Sequence, residues 1–182
     1  RIPLAESDAE QLARLRRHVE NEVPEAITFL GHSYRFPNFG LVKSDKKAAK
    51  IYKRAVELGK VEAMSNLGKL YETGSGVKLD KKKAKQLLAT AADRGYAKAQ
   101  YNLGLLHYND EEVNNDKEAL RNFKRSADQG FTHAMFMVGI CYQHGIGAAL
   151  DLEDARRWYE LAAAKGNKLA IARLEMLERQ KP

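Results

Sequence analysis

The sequence predicts an all-α fold, an α–α superhelix of about ten helices stacked as a solenoid. The first observation is a period: Ala26, Ala63, Ala99, Ala134 and Ala170 recur at spacings of 37, 36, 35 and 36 residues. A period of that length marks an array of stacked supersecondary units. The second is that each period holds two runs whose apolar residues keep helical spacing, as in Ala63, Leu67, Leu70 and Tyr71. The third is punctuation by glycine, which accepts the positive φ that ends a helix.

The elements follow in order. Residues 1–25 hold a capping helix: Ser7-Asp8-Ala9-Glu10 is a capping-box pattern, and Leu12, Leu15 and Val19 form one narrow apolar seam. This helix reads as an isolated second half-unit covering the first repeat. Residues 26–62 carry Leu30, Gly31, Tyr34 and Ala48, with an irregular loop at Phe36-Pro37-Asn38-Phe39-Gly40 that is one residue longer than its counterparts. Residues 63–98 are the most regular unit. Gly74 and Gly76 break its first helix, Asp80 is the N-cap of the second, and Ala84, Leu87, Leu88, Ala91 and Ala92 mark one face before Gly95. The small residues let helices approach closely, and the large residue between them is expected to fill space on the neighbouring unit.

Residues 99–133 repeat Leu103, Gly104, His107 and Ala119 but carry Asn109-Asp110-Glu111-Glu112-Val113 where other units have glycines. Residues 134–169 return to the pattern with Val138, Gly139, Tyr142, Gly145-Ile146-Gly147, Asp151, Ala155, Trp158, Tyr159, Ala162 and Gly166. Residues 170–182 begin another unit with Ala170, Leu174 and Leu177 and stop after one helix, with Glu175, Glu178, Arg179 and Lys181 facing solvent. A repeat array is one quasi-linear domain, so residues 1–182 are expected to form a single solenoid, closed at both ends and monomeric.

Composition sets limits. Charged residues make up 30% and apolar residues 44% of the 182, which leaves enough apolar side chains for a core. Cys141 is the only cysteine, which excludes an intramolecular disulfide and favours a reducing, cytoplasmic or otherwise intracellular location. No apolar run approaches the roughly 18 residues that span a bilayer. Arg1-Ile2-Pro3 is no natural start, so the chain is expected to be cut from a longer protein.

The pattern Ala63-x-x-Asn66-Leu67-Gly68-x-x-Tyr71-x-x-Gly74-x-Gly76-Val77, then Lys83-Ala84 and Ala91-Ala92-x-x-Gly95-x-x-x-Ala99, resembles the Sel1-like repeat, a relative of the tetratricopeptide repeat. The resemblance implies a right-handed α-solenoid and a non-enzymatic adaptor that binds another protein or peptide. Sel1-like proteins serve as scaffolds in signalling and in ubiquitin-linked degradation complexes. Cysteine-paired bacterial members have been linked to penicillin binding, and this chain lacks paired cysteines. A second reading is the substrate-binding or targeting region of a larger enzyme such as a RING-type ubiquitin ligase. Arg1-Ile2-Pro3 resembles the end of the Cys-Pro-x-Cys-Arg-x-Pro stretch that closes such zinc fingers, and the residues upstream would decide.

Within these residues no catalytic, cofactor or metal constellation is expected. His18, His32, His107, His133 and His144 are scattered over different units, without the His-Glu-x-x-His zinc pattern. Gly74-Ser75-Gly76 and Gly145-Ile146-Gly147 lack the Gly-Lys-Ser/Thr continuation of a phosphate loop and read as turns. Cys141 falls on a buried-type face and reads as a small core residue.

Charge is uneven. Residues 26–62 and 63–98 each hold eight Lys/Arg against three acids, and the rest of the chain sums to −3. Lys46, Lys47, Lys50 and Lys53 lie on one predicted second helix, and Lys81, Lys82, Lys83 and Lys85 on the next. They form either a solvated outer face or a patch for an acidic protein segment, anionic lipid or nucleic acid. Sequence-specific nucleic-acid binding is disfavoured because no aromatic residues interleave with the lysines.

A first helix that buries the 63, 67, 70 and 71 stripe turns Ser65, Lys69 and Glu72 away from it. In the third unit the same positions are Tyr101, Leu105 and Tyr108, and in the fourth Phe136, Ile140 and Gln143. The resemblance to tetratricopeptide repeats places these residues in a concave binding groove, continued by Ala172 and Met176. They are therefore expected to form an exposed patch for a partner's apolar side chains, unless a tight superhelix covers part of it. Asn66 and Asn102 border the same surface, either to bond a peptide backbone or to tie a helix to its neighbour.

Overall fold

Apolar residues at helical spacing, bounded by caps and glycines, give ten α-helices and no strand among the residues that the computed structural model describes, 7–109 and 115–179. They are α1 (Asp8–Glu20), α2 (Pro24–Arg35), α3 (Asp45–Glu57), α4 (Val61–Thr73), α5 (Lys81–Asp93), α6 (Ala97–Tyr108), α7 (Asp116–Asp128), α8 (Thr132–His144), α9 (Leu152–Ala164) and α10 (Lys168–Arg179). No described helix is long and apolar enough to cross a membrane.

The expected start signals operate as caps. The Ser7 N–H donates to Glu10 Oε2 at 2.7 Å while the Glu10 N–H donates to Ser7 Oγ at 3.3 Å, which completes the capping box of α1. Asp80 accepts from the Lys83 N–H at 2.8 Å and Asp151 from the Asp154 N–H at 2.9 Å. Ser44 caps α3 in the same way, accepting from the Lys47 N–H at 3.3 Å.

The glycines of the Gly-x-Gly turns have different tasks. Gly74 and Gly145 end α4 and α8 in the left-handed conformation, both at φ 69°. Gly76 and Gly147 also have positive φ, and each presses on the backbone that opens the preceding second helix, Asp45–Lys46 and Asp116 respectively, where a Cβ has no room. The irregular loop after α2 reaches the same end by another route. Its extra residue is absorbed with Phe39 and Gly40 at positive φ, and the Ser44 N–H still donates to the Tyr34 carbonyl at 2.8 Å. The Asp80 and Asp151 N–H groups make the matching bonds to Tyr71 and Tyr142 at 2.9 Å. In the third repeat, residues 110–114 of the divergent loop lie outside the described residues, as do Arg1-Ile2-Pro3 and Lys181.

The chain divides into two compact units, residues 1–91 and 92–182. In the first, α1 and α3 pack on α2 and α3 also packs on α4, around Ile27, Ala48, Tyr52, Ala55, Leu67 and Leu70. In the second, α6, α7, α8, α9 and α10 pack in succession around Phe123, Val138, Cys141, Tyr159 and Ala162.

One contact repeats four times and corrects an expectation. A Cβ on Gly31 would lie 2.6 Å from Tyr52, on Gly68 2.9 Å from Leu88, on Gly104 2.7 Å from Phe123 and on Gly139 2.5 Å from Tyr159. The large residue of each second helix therefore fills space over the glycine of its own unit rather than on the neighbouring one. The physical reason is that glycine removes the side chain from the first helix where the paired helix brings its largest group.

Candidate interaction surfaces

The expectation of an exposed patch on α6 and α8 is corrected in part. Ile140 is buried at 8% exposure, and Tyr101, Leu105 and Phe136 are half-buried against the core of the second unit. Tyr108 at 37% and Met176 at 50% remain exposed, and Ala172 is exposed as well. Phase counted from one stripe treats a helix as packing on one partner, whereas α8 packs on both α7 and α9. A helix held on two sides is apolar on most of its circumference. The ring contacts show where these side chains reach. Tyr101 lies 6.0 Å from Phe123 and 5.2 Å from Phe131, Tyr108 lies 6.4 Å from Phe123, and Phe136 lies 5.7 Å from Tyr159, centroid to centroid. Such separations fall in the range of favourable aromatic pairs.

The polar edge also differs from expectation. Gln143 Oε1 accepts from the Tyr159 hydroxyl at 2.5 Å, so one end of this amide holds the core tyrosine. Asn66 and Asn102, expected on the border of an open groove, are buried at 5% and 7% exposure. Asn66 belongs to the first unit and Asn102 to the second. Burial favours the helix-tying alternative for both, because an amide inside the packing answers to its own chain.

A buried polar group at the start of the second unit went unread in the sequence. Ser126 Oγ donates to the Ala97 carbonyl at 2.7 Å, Gln100 Nε2 to the Ala92 carbonyl at 3.1 Å, and Gln129 Nε2 to Gln100 Oε1 at 2.7 Å. Arg125 joins the Ala92 carbonyl at 3.0 Å and Asp93 at 3.5 Å. A signal was present: Ser126 stands at the position of Ala55, Ala91 and Ala162, so a hydroxyl occupies a site that is otherwise a core alanine.

The lysines of the basic surface, Lys46, Lys47, Lys50 and Lys53 on α3 and Lys81, Lys82, Lys83 and Lys85 on α5, are all exposed. Among the described residues no ion pair joins any of them to a carboxylate. Two lie over rings instead, Lys47 at 5.2 Å from the Tyr34 centroid and Lys83 at 4.8 Å from that of Tyr71. Two nearby cations are engaged, Arg54 with Glu22 at 3.0 Å and Lys60 with Glu25.

Among the described residues no three His, Cys, Asp or Glu side chains converge as a metal site would require. Cys141 is fully buried, and burial, with a smaller contribution from Asp116, pushes its thiol from an ordinary 9.0 up to about 12. A thiol so raised is a core group, the opposite of an activated nucleophile.

The comparisons with known proteins agree with this architecture. The family model described as Sel1 repeat matches residues 24–60, 61–96, 97–131 and 132–167. Each matched segment begins two residues before the alanine anchor read from the period. The chain is 32% identical over 138 residues to the chitin synthase regulator SKT5 of Saccharomyces cerevisiae, which covers 74% of this chain and 20% of that protein. It is 35% identical over 63 residues to the DAP3-binding cell death enhancer 1 of Rattus norvegicus, 35% of this chain and 12% of that protein. The chain thus spans a fifth or less of these curated relatives. Among solved structures, a Sel1 repeat protein from Oxalobacter formigenes is similar with a TM-score of 0.76 at 30% identity, over 83% of this chain and 62% of that one. Sel1 repeats mediate protein–protein interaction. The matches extend over four units in register, and the chain belongs to the Sel1 repeat family.

Proposed function

We propose that this chain is a non-catalytic interaction module, and that the α6–α8–α10 face of its second unit receives a peptide or helix of a partner protein. The carrying observation is that Tyr108 of α6 and Met176 of α10 stay exposed, with the Tyr108 ring 6.4 Å from the core ring of Phe123. Large apolar side chains left at a surface, with a packed aromatic bed beneath them, suit a partner that removes them from water. The names of the relatives, a regulator and a binding protein, support the same reading. The unpaired, buried Cys141 supports a reducing, intracellular setting, and the charged Glu175, Glu178 and Arg179 of α10 support action as a monomer.

A photo-crosslinking residue in place of Tyr108 tests the proposal, with one in place of the exposed Arg121 as reference. The expected result is a partner adduct that forms at Tyr108 and not at Arg121. Equal labelling at both positions, or none, refutes the assignment.

A further inference from the structure

On the first unit a cleft of about 340 Å³ opens between α1 and α3. Ile27, Leu30 and Tyr34 of α2 form its floor, and Val19 of α1 and Ile51 of α3 its walls. Lys47, Lys50 and Arg54 of α3 line it as well. Its volume lies at the small end of the roughly 300–1,000 Å³ of ligand pockets.

The cleft follows from the sequence of α1. Three residues separate α1 from α2 and α3 from α4, so Gln11, Leu15 and His18 correspond to Ala48, Tyr52 and Ala55. The α3 residues are all fully buried, whereas α1 has no buried residue. Larger polar side chains stand where α3 has alanines, and α1 meets the core through Val19. Of the α2 lining, Tyr34 is left half-buried, whereas Ile27 and Leu30 are covered.

We propose that this cleft docks an acidic amphipathic segment of a partner protein. A bulky aliphatic side chain seats on Leu30, Tyr34 and Ile51, and carboxylates of the same segment meet Lys47, Lys50 and Arg54. This rests on the acidic-partner reading of the basic surface and is independent of the α6–α8–α10 face. Charge complementarity selects the occupant: residues 26–62 carry a net +5, and Lys50 has no carboxylate partner among the described residues. Arg54 already shows the preference by holding the exposed Glu22 carboxylate at 3.0 Å. Spacing selects a peptide over a lipid. The three cations sit at i, i+3 and i+7, so the outer two are about 10.5 Å apart along the axis, farther than one carboxylate or phosphate reaches. Carboxylates spaced by helical turns engage all three.

The test uses a short synthetic helical peptide with leucines at i and i+4 flanked by glutamates, and binding is followed by fluorescence anisotropy. Expected is saturable binding that falls at least about tenfold when the glutamates become glutamines or when the protein carries Lys47→Glu with Lys50→Glu. Val19→Trp, which fills the cleft, should weaken binding similarly. Glu22→Gln, which frees Arg54, should strengthen it. The Tyr108→Ala, Met176→Ala variant should bind the peptide as the parent does, which separates failure here from failure of the second-unit reading. The proposal is overturned if the peptide does not bind, if a leucine-to-serine peptide of equal charge binds as well, or if the double lysine variant binds unchanged. Capture by phosphatidylserine–phosphatidylcholine vesicles in place of the peptide overturns it too.

Discussion

Gly139→Leu probes the glycine-to-aromatic contact where it is tightest. A Cβ at this position lies 2.5 Å from Tyr159 Cε1 and 2.6 Å from Cδ1. Comfortable carbon–carbon contact begins near 3.5 Å, so the overlap is about 1 Å before the rest of the leucine is placed. Tyr159 cannot swing away, because it is fully buried and its hydroxyl is held by Gln143. The cost falls at the upper end of the overpacking range, about 3 kcal/mol. Replacing a helical glycine returns about 1 kcal/mol of propensity. The net loss of about 2 kcal/mol lowers the melting temperature by roughly 4–8 °C in a chain of this size. Calorimetry of Gly139→Leu, Tyr159→Ala and the double variant checks the mechanism. Removing the ring makes room, so the double variant should be more stable than the sum of the single losses by about 1–3 kcal/mol. An unchanged melting temperature for Gly139→Leu, or strict additivity in the cycle, refutes the packing argument.

Two further outcomes follow from the same packing. Gly147→Ala should destabilise more than Gly166→Ala in thermal denaturation: both have positive φ, which costs about 1–2 kcal/mol for a side chain, but only Gly147 also meets backbone, that of Asp116. Stability should also fall on the alkaline side. Burial raises Cys141 from 9.0 and Tyr52 and Tyr159 from 10.0, each to about 12. Above pH 9 the unfolded chain releases these protons before the folded one, so folding binds protons and stability declines from about pH 9 towards pH 12. Denaturant titrations across that range check the sign, and stability that rises there contradicts it.

Much of the fold was legible because the period repeats both its helices and its punctuation. Ser7, Asp80 and Asp151 read as caps from residue type and position alone, and each makes its bond. Cys141 read as core from its place on the α8 stripe. The surface was less legible for a physical reason. Helical phase locates one packing face, yet the inner helix of a stacked array meets its own partner and the preceding one, so Ile140 is covered although it lies off the stripe. Asn66 and Asn102 were ambiguous in sequence because an amide serves a peptide or its own chain equally well. The α1–α3 cleft depends on comparing Gln11 and His18 with Ala48 and Ala55, an alignment that required knowing where α1 and α3 end.

The central claim is that the exposed apolar residues of the second unit bind a partner and do not hold the fold together. It is tested most directly by measuring partner retention and melting temperature together for Tyr108→Ala with Met176→Ala. Phe136 is unsuitable for this purpose because it is half-buried and its ring packs on Tyr159, whereas Tyr108 is exposed. The account predicts that retention is lost while the melting temperature stays within a few degrees of the parent, as surface substitutions usually change stability by about 0.5 kcal/mol or less. Full retention by a folded double variant, or unfolding of that variant, would contradict it.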